Sequence, residues 1–380
     1  MPRRARSARF ALGVCLVAAI AAGGPLVAAE ERGLRDAMQL IFERMRELVS
    51  LAAVPERFGA SDNATTVIEA LREIGDQAAM VSEHAGTDVG SGFLASSLDR
   101  YTGWALRNYE WGQIPAARSL VLEAVEVCIA CHTRLPSGDS PVAEDFVASD
   151  TLARMAPRER ARLLAATRRF DDAMTTLESE LTAPSTSPAS RVELMREYLL
   201  VAVRVRGELG RAASTLRAAR DAGELPEASR TAVSAWVADL DEIGRHPIPE
   251  DDVLYSRWLL QGSAADPLSD DHSDLVRALA ASAVLNRFLE REKPDGERLA
   301  EAYLLLGLAE ARIDEPAGLP EAELYLESAI LGAPGTPIAK VAFALLSKKV
   351  RRGFESGPEG KMPEEVMRHL AALEARSRGE

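Results

Sequence analysis

The chain has 380 residues, of which 47% are hydrophobic and 27% charged, and its formal net charge is -13. That length buries a sizeable core and leaves room for two domains, while the acidic balance excludes a general nucleic-acid binder, whose footprint is a basic face. Ala, Leu, Glu and Arg dominate, only 5% of residues are aromatic, and period-2 runs of Val, Ile and Thr are nearly absent, so the expected class is all-α.

Residues 1–29 read as a secretory signal. Arg3, Arg4, Arg6 and Arg9 form a basic start, Phe10 to Ala22 is apolar, Gly23-Gly24-Pro25 breaks a helix, and Val27-Ala28-Ala29 supplies small residues before Glu30. The apolar run is shorter than the ~20 residues of a spanning helix. The expectation is therefore cleavage and export, to the periplasm or an equivalent compartment, with no stable membrane span left in the mature chain.

Four amphipathic segments follow. The first carries Leu34, Met38, Ile41, Phe42, Met45, Leu48, Val49 and Ala52 at helical spacing and stops before Pro55. The second opens near Asn63 or Thr65, both good N-caps, carries Val67, Leu71, Ile74, Ala78 and Val81, and closes near Gly86. The third carries Leu94, Leu98, Tyr101, Trp104 and Ala105 and stops at Gly112. The fourth begins at Pro115, a favoured first-turn residue, and runs through Val121, Ala124, Val125, Cys128 and Cys131 to end near Pro136. Four helices of such length with short connections suggest an antiparallel bundle over residues 30–136.

The fourth segment contains Cys128-Ile129-Ala130-Cys131-His132, a C-x-x-C-H pattern for covalent attachment of one c-type haem. Two thiols at this spacing form thioethers to the two vinyl groups of a porphyrin, and the following His reaches the iron as proximal ligand. The chain has three cysteines; with Cys15 inside the signal, the mature chain keeps only these two. A disulfide framework needs more cysteines, more widely spaced. A redox C-x-x-C starts a helix after a strand, whereas this one ends a helix. A zinc site needs about four ligands, and His84, His246, His272 and His369 are scattered.

Four helices with C-x-x-C-H at the end of the last resemble the class II c-type cytochromes, the cytochrome c-prime family, over about a third of the chain. In that family the low-spin variant supplies a Met from the first helix as sixth ligand; the high-spin variant places an apolar side chain about one turn on and leaves the iron five-coordinate. The resemblance implies the low-spin pattern here, with Met38 as distal ligand and Phe42 in the shielding position. From spacing alone Met38 reads first as a core residue, because Met fills irregular gaps, and only the motif and the family order raise it to a ligand; Met45 and Met80 are poorer ligands, and His84 reads as a surface residue. The family continues its motif with an aromatic residue and Arg, where this chain has Leu135 and Pro136. Arg134 and Arg35 are then the candidates to pair with haem carboxylates, against the simpler reading of solvated charges. Family members pair as homodimers through the first two helices, which is the oligomeric expectation by analogy.

Pro136-Ser137-Gly138-Asp139-Ser140-Pro141 is a turn-rich junction, so residues 137–150 read as a linker, and residues 151–380 as a helical-repeat domain. Phe170, Ala173 and Leu177, then Leu209, Ala212, Leu216 and Ala219, then Ala322, Leu326 and Ala329 share one pattern, each followed by a Pro, and Leu306-Gly307 precedes the third. This looks like the second helix of tetratricopeptide units, in which small residues let paired helices approach; an irregular stack of α-hairpins fits the same pattern. Trp236 and Trp258 read as packing residues, and Arg168-Arg169 and the run from Lys348 to Arg352 as solvated faces. The chain is thus expected to be an exported electron-transfer cytochrome, not an enzyme, whose repeat domain docks a redox protein. The alternatives are a five-coordinate haem protein that binds a small gas such as nitric oxide, or an interaction scaffold stabilised by haem.

Overall fold

The computed structural model describes residues 33–85, 88–134, 152–153, 155–222, 225–261, 268, 272–313, 319–355 and 362–380. The expected signal, Cys15, the helix stop at Gly86, Leu135 and Pro136, and the expected linker lie outside them. Among the described residues every regular element is helical, as the composition requires, and no helix is long and apolar enough to cross a membrane.

Helix α1 covers 33–52, and its stripe of Ala37, Ile41, Met45, Leu48, Val49 and Ala52 is buried. A single turn, α2 (Pro55–Phe58), and a 3-10 turn (Ser61–Asn63) lead into α3 (Ala64–His84). Asn63 does sit at the N-cap of α3, but its side chain turns back and donates to the Arg57 carbonyl at 2.8 Å. Helix α4 (Val89–Glu110) is capped by Asp88, which accepts from the Gly90 and Ser91 amides, and stops at Gly112, whose φ of 75° suits a residue without Cβ. Helix α5 (Ile114–Arg134) carries the two cysteines and His132 in its last two turns.

Helix α3 packs on α4, and α4 on α5. Arg44 of α1 pairs with Glu73 of α3 at 2.6 Å, and Arg118 of α5 donates to the Ala52 carbonyl at the end of α1. Tyr109 closes the floor: its hydroxyl donates to the Phe58 carbonyl at 3.0 Å, and its ring meets Phe58 edge-on. Trp104 departs from the expected apolar face of α4. It is 41% exposed, set edge-on against Tyr101 with the Arg100 guanidinium over its ring.

The remaining chain forms α6 (Pro157–Ala166), α7 (Phe170–Leu181), α8 (Pro188–Leu199) and a π-helical turn (Leu200–Val205). It continues as α9 (Leu209–Asp221), α10 (Glu227–Arg245), α11 (Asp252–Leu260), α12 (Leu275–Glu292) and α13 (Gly296–Glu310). The last three are α14 (Glu321–Gly332), α15 (Pro337–Glu355) and α16 (Glu364–Arg378). Pro at the first turn of α6 and α8, and Asp251 capping α11, mark helix starts by the expected chemistry. Neighbours in sequence pack as hairpins: α6 on α7, α9 on α10, α11 on α12, α13 on α14. Trp236 is a core residue, fully buried, its indole N–H donating to the His272 carbonyl at 2.7 Å.

The α13–α14 hairpin is closely packed. A Cβ on Gly307 would stand 2.6 Å from Leu326 Cγ and 3.2 Å from the Ala322 carbonyl oxygen. Since backbone does not yield as a side chain does, Gly307→Val should overpack the hairpin and lower the unfolding free energy by about 1–3 kcal/mol. A denaturant midpoint equal to that of the unsubstituted chain would contradict this packing.

The hairpins are not separate from the first four helices. Helix α5 packs on α6, on the π-turn and on α12, and α4 touches α14. At the second contact a Cβ on Gly90 would collide with the Tyr325 hydroxyl, so only glycine admits that approach.

Candidate functional site

Where α1, α3, α4 and α5 meet at one end, their side chains leave a cavity of about 580 Å³, within the ~300–1,000 Å³ of pockets for small molecules and cofactors. Met38, Phe42 and Met45 of α1 contribute to one wall; Cys128, Cys131 and His132 of α5 contribute to another. The rest is mainly apolar, with Leu94 and Leu98 of α4 and Ala78 and Val81 of α3. The amphipathic stripes of α1 and α5 therefore bring together residues that sequence alone could only pair by analogy. Met45 is buried at 4% exposure, while Met38 is half-buried. Met80 is not among the cavity residues, and His84 stands exposed at the rim with Nδ1 against the Met80 carbonyl at 2.7 Å.

Both thiols are free. Burial pushes the Cys128 thiol up to about 12, with Cys131 and Glu126 adding negative charge nearby. Burial also raises Cys131, against Arg134 and Arg168. Neither is the stabilised thiolate of a dithiol reductant, which needs an electropositive helix start. Among the described residues no group of three His, Cys, Asp or Glu is placed to hold a metal ion.

The His132 ring is held by a contact from outside these four helices. Its Nδ1 lies 2.6 Å from the carbonyl oxygen of Ala166, at the end of α6. A carbonyl only accepts, so Nδ1 carries the ring proton and Nε2 keeps its lone pair. Burial first, and the Arg168 charge second, lower the His132 pKa to about 4 although the Ala166 bond opposes them. The imidazole is therefore neutral across physiological pH, the form in which it is a metal ligand.

Arg134 is not at the cavity. It is 4% exposed and forms ion pairs with Glu321 and, at 3.8 Å, with Glu310. The last turn of α5 points this side chain to the face opposite the cavity, where it meets α13 and α14 and lies over the Tyr325 ring. Arg204, from the π-turn, reaches Glu310 at 2.7 Å, and Ser282 donates to the same carboxylate. Burial raises the Glu310 carboxyl, but Arg204 and Arg134 beside it and the Ser282 hydroxyl bring it net below the usual range. The expectation that Arg134 pairs with a cofactor carboxylate is thereby overturned; Arg35 remains, exposed at the cavity rim.

Arg168 also departs from expectation. It is half-buried and lines the cavity rather than a solvated face. Its φ of 59° is left-handed, a conformation in which glycine is usual. No sequence signal marked it, because neither a stripe nor a motif includes it. Leu163, Ala166 and Thr167 line the cavity beside it, so the α6–α7 corner belongs to the site.

The volume of the cavity, its mainly apolar lining and the free thiol pair beside a histidine that keeps one nitrogen lone pair are compatible with a covalently bound porphyrin. Comparison with protein-family models, with curated proteins and with solved structures gave no match to this chain.

Proposed function

We propose that this chain is an exported c-type cytochrome that carries electrons, with one covalent haem in an antiparallel four-helix bundle of the class II kind. The observation that carries the reading is the shared cavity. Met38 lines it from α1, and Cys128, Cys131 and His132 line it from α5. Haem supplies a one-electron couple at iron. The residues do the rest. Cys128 and Cys131 would anchor the group by thioethers, and Nε2 of His132 and the sulfur of Met38 would be its iron donors. Leu94, Leu98 and Val125 exclude water. A neutral imidazole and a thioether would favour electron transfer, because both donors serve either oxidation state. The second unit, a stack of tetratricopeptide-like hairpins, docks a redox protein partner; helical stacks offer extended faces for such contacts.

The test is an absorption spectrum with a pyridine haemochrome assay on full-length protein made with a c-type maturation system. One covalent haem per chain is expected, lost in Cys128→Ala/Cys131→Ala. A chain that matures with no bound haem overturns the reading. Phe42, lining the same cavity one turn from Met38, favours a second reading, a five-coordinate site for a small gas. A high-spin spectrum that responds to nitric oxide in the unsubstituted protein would select it.

A further inference from the structure

The hairpin domain supplies part of the cavity lining. Helix α6 ends with the Arg168 amide donating to the Ala165 carbonyl at 3.1 Å and the Arg169 amide to the Leu164 carbonyl at 2.8 Å. These two bonds, with Arg168 left-handed between them, are the Schellman arrangement. They satisfy two of the terminal carbonyls and leave that of Ala166, which a helix end cannot satisfy internally. The His132 Nδ1–H fills it at 2.6 Å. The negative end of the α6 dipole thus faces the ring proton of the histidine. The same left-handed residue that closes the helix carries a guanidinium to the cavity lined by Met38, Cys131 and His132. A non-glycine residue in this conformation costs about 1 kcal/mol or more, and its side chain is what glycine would not provide.

Resting on the haem reading above, we propose that the α6–α7 corner is a working part of the haem site. The Ala166 carbonyl fixes the proximal His132 in the Nδ1–H form, and Arg168 is a positioning residue that receives an anionic carboxylate of the haem. Carboxylate and guanidinium form charge-assisted, bidentate bonds, and Arg168 is the cation that the second unit brings to this cavity. The iron's reduction potential is then set jointly by the two units. A positive charge beside the haem favours the reduced form, and so does neutralising the carboxylate.

The experiment measures the midpoint potential of full-length holoprotein for Arg168→Gly, Arg168→Asn and Arg168→Lys, with Arg158→Gln as control. Glycine and asparagine both accept a left-handed φ, so the turn survives while the guanidinium is lost. Arg158 is exposed on α6 and pairs with Glu197 away from the cavity. The expected result is a lower potential in the glycine and asparagine variants, on the order of a tenfold shift in the one-electron equilibrium (~59 mV), largely restored by lysine and absent in the control. In the reduced, diamagnetic protein the Nδ1 proton of His132 should exchange slowly with solvent. Potentials unchanged in both neutral variants, or a fast-exchanging Nδ1 proton, overturn the inference while leaving the haem reading intact. Absence of covalent haem from the unsubstituted chain defeats the haem reading instead.

Discussion

Glu310→Ala should lower the free energy of unfolding by about 3–5 kcal/mol. Glu310 is 4% exposed and accepts at 2.7 Å from both Arg204 and Ser282, with Arg134 on its other oxygen at 3.8 Å. The buried group balances two arginines, Arg134 and Arg204, against Glu310 and Glu321. Removing one carboxylate leaves both guanidiniums buried against a single acid. A buried charge without its partner keeps its desolvation cost and loses the attraction that offset it. The group is not ideally paired even in the intact chain, since Nε and Nη1 of Arg134, Nε of Arg204 and Oε1 of Glu321 lack hydrogen-bond partners. Replacing both members of one pair should therefore cost far less than replacing one. Arg204→Leu/Glu310→Leu is expected to recover most of the loss in chemical denaturation. A change below ~1 kcal/mol for Glu310→Ala would show instead that the cluster is solvated like a surface pair. Because Arg134 follows His132 by two residues in α5, this cluster also fixes how the end of the motif sits on the hairpins.

Met38→Ala should convert the absorption spectrum of the holoprotein from low-spin to high-spin and lower its reduction potential. Methionine sulfur as an axial ligand holds the potential up, and alanine reaches nothing across the cavity. Met38 is half-buried and lines the cavity, so its truncation enlarges a space that already exists and leaves the fold intact. The altered site should also bind added imidazole, and the unsubstituted protein should exclude it. Met80→Leu is the matched control: Met80 lies on α3, is half-buried and is not among the cavity residues, so the spectrum should not change. If Met38→Ala left a low-spin spectrum unaltered, another side chain would be the sixth ligand. If the unsubstituted protein were already high-spin, Met38 would be a wall residue and Phe42 the shield of a gas site.

The helices of the first unit were largely legible because their information is local. Ile41, Met45, Leu48 and Ala52 recur at 3.6-residue spacing and are buried on α1 as that period requires. Gly112, with its positive φ, ends α4 where expected. Trp104 was misplaced because one residue at the edge of a stripe can face either way, and α4 gives it to solvent. The C-x-x-C-H pattern was legible as a motif, since thiol and imidazole spacing on a helix follows from the sequence itself, whereas Met38 was singled out only by resemblance. Their meeting around one cavity was not legible, because it depends on how α1 packs against the other three helices.

Charges were the least legible part. Arg134 and Arg168 look alike in sequence, each beside a helix end, yet one is buried in an ion cluster on α13 and α14 and the other lines the cavity. The difference lies in what comes near each guanidinium from distant parts of the chain, which no local pattern encodes. The π-turn at Leu200–Val205 is of the same kind. It widens the helix where Val201, Ala202 and Val203 are buried and delivers Arg204 to Glu310. By itself, then, the amino-acid sequence determined the helical class, the stripes that make the core, and the placing of a C-x-x-C-H pattern at the end of a helix. Only the tertiary structure decided that the carbonyl of Ala166 holds His132 and that the hairpins close over the end of α5. Periodicity sets which face of a helix is apolar; long-range packing sets what that face, and each buried charge, finds there.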